Sequence, residues 1–402
     1  MQKNKIVINA CLVLPDKLLS NAYLHIEGEK IAGYGLMSNL PQELRQNAES
    51  YDAAGAYVMP GFIDIHSDMI ENLIQPRSTA FLDMDMALDE AEKQLAQCGI
   101  TTIFHSVAMY REGSWDAKAI RTAPHVECLI GLVNAKRSRR RLIHNRFHLR
   151  YELDNLECYD LVHQLLAEKK VGLVSLMDHR PGQGQYRDLK IYRRHLPGEG
   201  KDLTDKEFAD LVKREQNKPM VAGAKLQVLL DTAKQNNIPI ASHDDDTEEK
   251  ILTNAKAGVA ISEFPISLEV AKKAKECGLH PLLGAPNILL GGSHSGNLSA
   301  EVAIKAGCGD ILCSDYYPQA LLRAVFYLYD KNILTLPEAC ALVSSNPAAA
   351  AGISGETGTL AAGKFADFLV VARDADNVPL LLSTWANGCC VVKNTYRDEE
   401  EA

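Results

Sequence analysis

Residues 58–71 read VMPGFIDIHSDMIE. Pro60-Gly61 breaks the chain, and FIDIHSD then alternates apolar and polar residues with the period of a strand. On that alternation Phe62, Asp64, His66 and Asp68 share one face and Ile63, Ile65 and Ser67 the other. A His and an Asp two residues apart at a strand end point the same way, close enough to grip one metal ion. A bare His-x-Asp is weak evidence, since such a pair more often bonds to backbone. Its meaning depends on the rest of the chain.

Outward from this strand, helix-like and strand-like segments alternate, the pattern of an α/β fold with parallel strands. Strands are expected over 61–66, 99–107, 145–152, 171–178, 238–243, 258–264, 280–285 and 310–316. Between them lie amphipathic runs such as MALDEAEKQLAQCG (86–99) and SLEVAKKAKECG (267–278), both ending in Gly, a helix stop. Thr204 and Glu207 make a capping box before FADLVKREQ. Eight such units predict a (β/α)8 TIM-type barrel, whose usual size is about 250 residues. An open doubly wound sheet is the structural rival, but no GxGxxG or Walker loop supports it.

The two ends have another texture. Short strands broken by Gly fill residues 1–57, and GTLAAGKFADFLVVA and CCVVKNTY repeat that pattern near the C-terminus. The expected organisation is a small β-sandwich from residues 1–57 plus 355–402, around a barrel over 58–354. The chain of 402 residues is 46% hydrophobic and 24% charged, ordinary for a soluble globular protein, and carries a formal net charge of −9. That charge argues against a nucleic-acid or membrane-surface binder. No apolar run is long enough to span a bilayer, and the N-terminus lacks the features of a signal peptide. Ten scattered cysteines without a Cys-x-x-Cys fit a reducing, cytoplasmic setting.

In a barrel the reactive groups gather at the C-terminal strand ends. His66 and Asp68 end the first expected strand, with His105 near the end of the second. His148, Arg150 and Glu152 share a face of the third, and Asp178-His179 closes the fourth. His243, Glu263 and Asp315 close the fifth, sixth and eighth. Imidazoles and carboxylates without thiolates suit a divalent ion, Zn or Mn, one or two in number. The candidate ligands are His66, Asp68, Glu152, His179, His243 and Asp315. The ion's expected task is to acidify water, with a neighbouring carboxylate moving the proton. Asp315 is the candidate for that, and Glu263 is the second candidate catalytic carboxylate. Asp244–Asp246 are expected to cap the next helix, one of them orienting His243.

PGFIDIHSD, an Asp ending the last strand and the late GTLAAGKFADFLVV resemble the amidohydrolase superfamily over nearly the whole chain. HSDMIE (66–71), SLMDHRPGQGQ (175–185), ASHDDDT (241–247), SEFP (262–265), GAPN (284–287), GGSHSGN (291–297) and SDYYP (314–318) are similar to the diphosphatases of the carbon–phosphorus lyase pathway. The resemblance implies a metal-dependent barrel with a small β-sandwich. It also implies hydrolysis of α-D-ribose 1-methylphosphonate 5-triphosphate to the 5-phosphate and pyrophosphate. The chain departs from the broad pattern in carrying Asp68 where His is common and Glu263 where a sixth-strand His is usual. No Lys closes the fourth strand, so Glu152 or the Asp178-His179 pair is left to bridge or to hold a second ion.

A triphosphate needs cationic and N–H donors, and Arg forks suit phosphate oxygens. The candidates are Arg77, Arg150, Arg180, Arg187 and His294, the last within GGSHSGN. Basic runs lie at 136–141 and 180–195, and PGQGQ is a candidate lid. The expected partner is a small phosphorylated ribose phosphonate, with a homo-oligomer compatible and neither nucleic acid nor membrane involved. The alternatives are a deaminase, cyclic amidase or lactonase on the same metal, and an inactive scaffold on the same fold.

Overall fold

The expected parallel strands are all present in the computed structural model, which describes residues 4–111, 118–137, 142–196, 203–293 and 296–396. Five strands come first: β1 (Asn4–Val13), β2 (Leu18–Glu27), β3 (Lys30–Leu36), β4 (Glu49–Asp52) and β5 (Tyr57–Pro60). The barrel strands follow as β6 (Phe62–Ser67), β7 (Ile100–Met109), β8 (His144–Glu152) and β9 (Leu173–Met177). They continue with β10 (Ile240–His243), β11 (Ile261–Glu263), β12 (His280–Gly284) and β13 (Ile311–Cys313). Three more, β14 (Phe368–Arg373), β15 (Pro379–Ala386) and β16 (Cys389–Lys393), return to the first group.

Strands β6 to β13 pair in chain order, each parallel to the next. The last seam is closed by a few backbone bonds. Asp68 N–H donates to Asp315 O at 2.9 Å, and Asp315 N–H donates to His66 O at 3.0 Å. A nearly closed barrel results, and the seam sets Asp315 against His66 and Asp68. Ile63, Ile65, Phe104, Leu173, Ala241, Ile261, Leu282, Ile311 and Cys313 fill the interior as one cluster, floored by Ala348, Ala350 and Ile353.

The helices pack on the outside as their periodicity predicts. Met84–Gln97 buries Met84, Ala87, Leu88, Ala91 and Leu95, the i, i+3, i+4, i+7 stripe, and Asp83 caps it by accepting from Met86 N–H. Leu268–Glu276 begins at the Ser267 cap, and Gly278 follows its end at φ +81°. The Thr204/Glu207 capping box opens Asp205–Gln216. Among the described residues no helix is long and apolar enough to cross a membrane.

The chain ends form a separate mixed sheet in the order β16-β15-β14-β5-β1-β2-β3, with β4 beside β1. Its own core includes Leu12, Leu24, Ile26, Val58, Phe368 and Trp385. Pro60-Gly61 is the pivot between the two sheets. Gly61 N–H donates to Asp367 O of the end sheet, while Phe62 N–H donates to Gly99 O of the barrel. A Cβ on residue 61 would sit 2.2 Å from Thr101 Oγ1, which is why a glycine stands there.

The alternation read over 62–68 does not survive intact. Pairing of β6 with β7 shifts register between Asp64 and Ser67. Phe62 faces the outer helices, Ile63 and Ile65 face the barrel interior, and His66 also faces inward, against His148 and His243. The irregularity re-aims His66 relative to Phe62, so the four residues do not share one face.

Candidate metal centre and active site

A cavity of about 330 Å³ opens at the C-terminal ends of the strands and is lined by His66, Asp68, Arg150, His179, His243, Asp244 and Asp315. Tyr110, Arg121, Gln185, Tyr186, Phe264, Ser293, Asn297 and Tyr316 complete much of its wall. Here the barrel rule operates as expected, since strand ends from around the barrel converge on one mouth.

Beneath the cavity lies Glu263, which is fully buried. Its Oε1 is 3.0 Å from His66 Nδ1, and its Oε2 is 3.1 Å from His243 Nδ1 and accepts from Ser175 Oγ at 2.8 Å. A carboxylate can only accept, so both imidazoles carry their proton on Nδ1 and keep a lone pair on Nε2. Burial, reinforced by the Arg150 charge, holds His66 well below the usual histidine range; burial likewise keeps His243 neutral. His148 extends the network, bonding Ser106 Oγ through Nδ1 at 2.9 Å and Ser175 Oγ through Nε2 at 2.5 Å. Glu263 therefore stands behind the ligand-type residues and does not line the cavity where a reacting group would lie.

Glu152 plays the same part for His179. It accepts from His179 Nδ1, which leaves His179 Nε2 buried without a hydrogen-bond partner. Burial alone would lower the His179 pKa, but the Glu152 carboxylate, joined by Asp244, outweighs it and the value is raised. Glu152 was expected among the metal ligands; in the structure its carboxylate is bonded to His179 Nδ1.

His179 Nε2 and His243 Nε2 lie 3.8 Å and 3.7 Å from Asp244 Oδ2. Two atoms each ~2.1 Å from one ion cannot be more than ~4.2 Å apart, so these spacings admit a common ion. Asp244 Oδ2, like His179 Nε2, is buried without a hydrogen-bond partner. Orphaned buried polar atoms are costly, and these two converge with His243 Nε2, whose lone pair meets only the Arg150 guanidinium at 3.4 Å, on one point where a divalent ion would satisfy all three. Asp244 reaches the cavity beside His243 because its φ is +49°, which breaks the strand alternation that would have turned it away. It was expected as a helix cap or as the carboxylate that orients His243. The capping falls to Thr247, which accepts from Lys250 N–H, while Asp245 is consumed by Ser242 and Ser262 at 2.5 Å and 2.6 Å.

Asp315 also has a positive φ, +56°. Burial, then the nearby Asp68 charge, pushes its carboxyl up to about 7. Burial, then Glu71, raises Asp68 as well, and Asp68 Oδ1 is buried without a partner. Arg150 is the cation among these acids. Its Nη2 is 3.4 Å from His243 Nε2, and its Nε is buried with no hydrogen-bond partner.

Of the other expected phosphate-binding residues, Arg77, Arg180 and Arg187 do not line the cavity. Arg77 and Arg187 are exposed outside it. Arg180 forks onto Asp178 at 2.8 Å and 2.7 Å and donates to Gln216 O, which commits it to a neighbouring cleft. That pairing also separates Asp178 from His179. His294 lies outside the described residues. Of the 136–141 run, Lys136 is buried against Asp85 and Asp89, and residues 138–141 lie outside the described residues. Two residues of PGQGQY, Gln185 and Tyr186, do form part of the wall. His105 bonds Asn145, which holds Glu92 of an outer helix, and takes no part in the cavity. Arg121 was not singled out from the sequence. It lines the cavity while held by buried Glu71 at 2.8 Å and stacked 5.2 Å from the Tyr110 ring.

A parallel barrel with imidazoles and carboxylates at its mouth defines a class of metal-dependent barrel hydrolases. The chain belongs to the amidohydrolase family, whose model matches residues 57–397. It is 34% identical over 396 residues to the alpha-D-ribose 1-methylphosphonate 5-triphosphate diphosphatase of Escherichia coli (strain K12), covering 95% of this chain and 99% of that one. In structure it is similar to molinate hydrolase, with a TM-score of 0.65 at 13% identity, over 97% of this chain and 94% of that one. A. niger ochratoxinase gives 0.63 at 16% identity over 98% and 97%. These two likenesses speak for the fold. The family generally uses divalent metals, and the grouped donor atoms of His179, His243 and Asp244, two of them orphaned, fit one.

Proposed function

We propose that this chain is a metal-dependent diphosphatase that hydrolyses α-D-ribose 1-methylphosphonate 5-triphosphate to the 5-phosphate and pyrophosphate. The observation that carries the reading is the adjacency of two features: a donor set suited to a cation, two of its three atoms unsatisfied, and a buried guanidinium with an unbonded Nε beside it. A buried arginine without an ion-paired partner is expensive, and a phosphoryl group would satisfy it. Neutral amides make no such demand. Near-full-length similarity to the Escherichia coli diphosphatase supports the same substrate class.

A divalent ion at His179, His243 and Asp244 would acidify water and withdraw charge from a phosphoryl oxygen. The side chains do the rest. Glu152 and Glu263 hold the imidazoles in the ligating tautomer. Asp315, poised near 7 on the cavity wall, accepts the proton of the attacking water and can return it to the leaving oxygen. Arg150 offsets charge building on the phosphoryl oxygens, and Arg121, also on the cavity wall, is a second cation for the leaving pyrophosphate. A cytoplasmic setting belongs to the same proposal.

The test is pyrophosphate release from the ribose phosphonate triphosphate by protein loaded with Zn²⁺ or Mn²⁺. Release that stops with chelator and returns with metal is expected. Loaded protein that releases none, or that hydrolyses a neutral cyclic amide instead, overturns the reading.

A further inference from the structure

We infer that the centre is built for a single divalent ion, held by His179, His243 and Asp244, and that the Arg150 guanidinium occupies the place of a second. The inference rests on the metal-binding reading of the cavity and not on the identity of the substrate.

Among the described residues there are two clusters of His and carboxylate donors, the ligand atoms within each lying no more than 4.8 Å apart. One, His66–His148–Glu263, is already satisfied internally. His66 Nδ1 is spent on Glu263, and both His148 nitrogens are spent on Ser106 and Ser175. Glu263 and His148 are fully buried below the cavity, so an ion there would have to break the network that holds His66 and His243 in place. In the other cluster, His179–His243–Asp244, His179 Nε2 and Asp244 Oδ2 are unsatisfied and His243 Nε2 meets only Arg150 Nη2 at 3.4 Å.

A second ion in this cavity would need Asp68 and Asp315, the acids across the barrel seam, together with a ligand bridging to the first. Glu152, the carboxylate expected to bridge, is turned away behind His179. Arg150 lines the same cavity as both sides; its Nη2 reaches His243 Nε2, and its charge acts on Asp68, Asp244, Glu263 and Asp315 alike. One fixed positive charge among four carboxylates does electrostatically what a second cation would do, and it cannot be removed by a chelator or by protonation equilibria near neutral pH. Loading the first ion takes the His243 Nε2 lone pair from Arg150. The guanidinium is then left to Asp68, Asp315 and an incoming anion.

The experiment is metal stoichiometry on the full chain, stripped with chelator, reloaded with Mn²⁺, desalted and read by elemental analysis and by electron paramagnetic resonance. Wild type should hold one ion per chain, with the six-line signal of isolated Mn²⁺. Arg150→Met should accept a second ion and acquire a spin-coupled signal, while Arg150→Lys, which keeps the charge, should remain at one. Asp244→Asn should weaken ion binding by more than about tenfold, at least the effect of losing an outer-shell partner. Two tightly held ions in wild type overturn the inference, as does a folded Arg150→Met that stays at one. Undiminished affinity in Asp244→Asn overturns the placement. If circular dichroism shows Arg150→Met unfolded, wild type and Arg150→Lys still decide, because two ions in either refute it. None of these readouts uses substrate, so a wrong metal count and a wrong substrate fail separately.

Discussion

Glu263 offers two acceptor oxygens to two imidazole donors, and that arithmetic makes Glu263→Gln a sharp perturbation. The glutamine is nearly isosteric but brings one carbonyl oxygen and one NH2. Whichever way the amide lies, one of the His66 and His243 Nδ1 atoms, now bonded at 3.0 Å and 3.1 Å, meets a donor in place of an acceptor. The cheapest relief is a tautomer change that moves that proton to Nε2 and removes the lone pair facing the cavity. Each charge-assisted bond replaced by a neutral one costs ~1 kcal/mol, and relief of carboxylate burial returns part of it, so folding should weaken by only ~1–3 kcal/mol. Ion binding should suffer specifically where that imidazole is His243, whose Nε2 is in the proposed donor set. Loss of an outer-shell carboxylate typically lowers affinity by about 10–100-fold, or ~1.4–2.7 kcal/mol.

Glu152→Gln is the internal control. His179 Nδ1 is the one imidazole nitrogen bonded to Glu152, so an amide oxygen can still accept from it and the tautomer is retained. Its effect should fall at or below the low end of the range. The assays are competition against a chromophoric chelator, and nitrogen-15 spectra of protein labelled in its 12 histidines, where the two tautomers have distinct shifts. Glu263→Gln with every imidazole in its wild-type tautomer would refute the reasoning. Equal losses in the two variants would refute it too, because charge alone would then explain both.

Gly61→Ala should lower stability by ~1–3 kcal/mol, since its Cβ would lie 2.2 Å from buried Thr101 Oγ1; a melting temperature equal to wild type would show the approach is not tight, and adding Thr101→Ala should recover part of the loss. His105 supplies a pH signature away from the metal centre: burial lowers it to about 4, so the folded state stays neutral where the unfolded chain takes up a proton, and stability falls as pH drops from its ordinary 6.5. Between pH 7 and pH 5 that linkage is worth ~2 kcal/mol, and urea titrations should show the pH slope reduced by that much in His105→Gln; an unchanged slope would mean the histidine is already charged in the fold.

How much was legible in the sequence follows from what each signal measures. Strand alternation, glycine stops and caps report local backbone preference, and they placed all eight barrel strands and the helices of Met84–Gln97 and Leu268–Glu276. Residue type at strand ends was enough to bring His66, Asp68, Arg150, His179, His243 and Asp315 to one cavity. It could not say which carboxylate faces an ion and which stands behind a histidine, because that is decided by a partner from another strand. Glu152 and Glu263 are buried one layer back for that reason. Arginines were harder still. Arg180 finds its anion two residues away in Asp178, a signal present in DHR but easily read as a free cation.

Asp244 and Asp315 were the instructive pair. Both sit just past a barrel strand with positive φ, where the period-two argument has already lapsed. Aspartate is among the few side chains that tolerate this backbone, so its presence immediately after a strand-ending run is itself evidence that the chain bends there. An Asp in that position escapes alternation and can present its carboxylate beside the preceding residue. The HDDD run at 243–246 contained that possibility in its first aspartate, whereas the second and third answer to Ser242 and Ser262 and to the Gly184 N–H. For a barrel of this kind the residue one or two places beyond the strand therefore weighs as much as the last residue within it. It is there that the backbone can aim two neighbouring side chains at one ion.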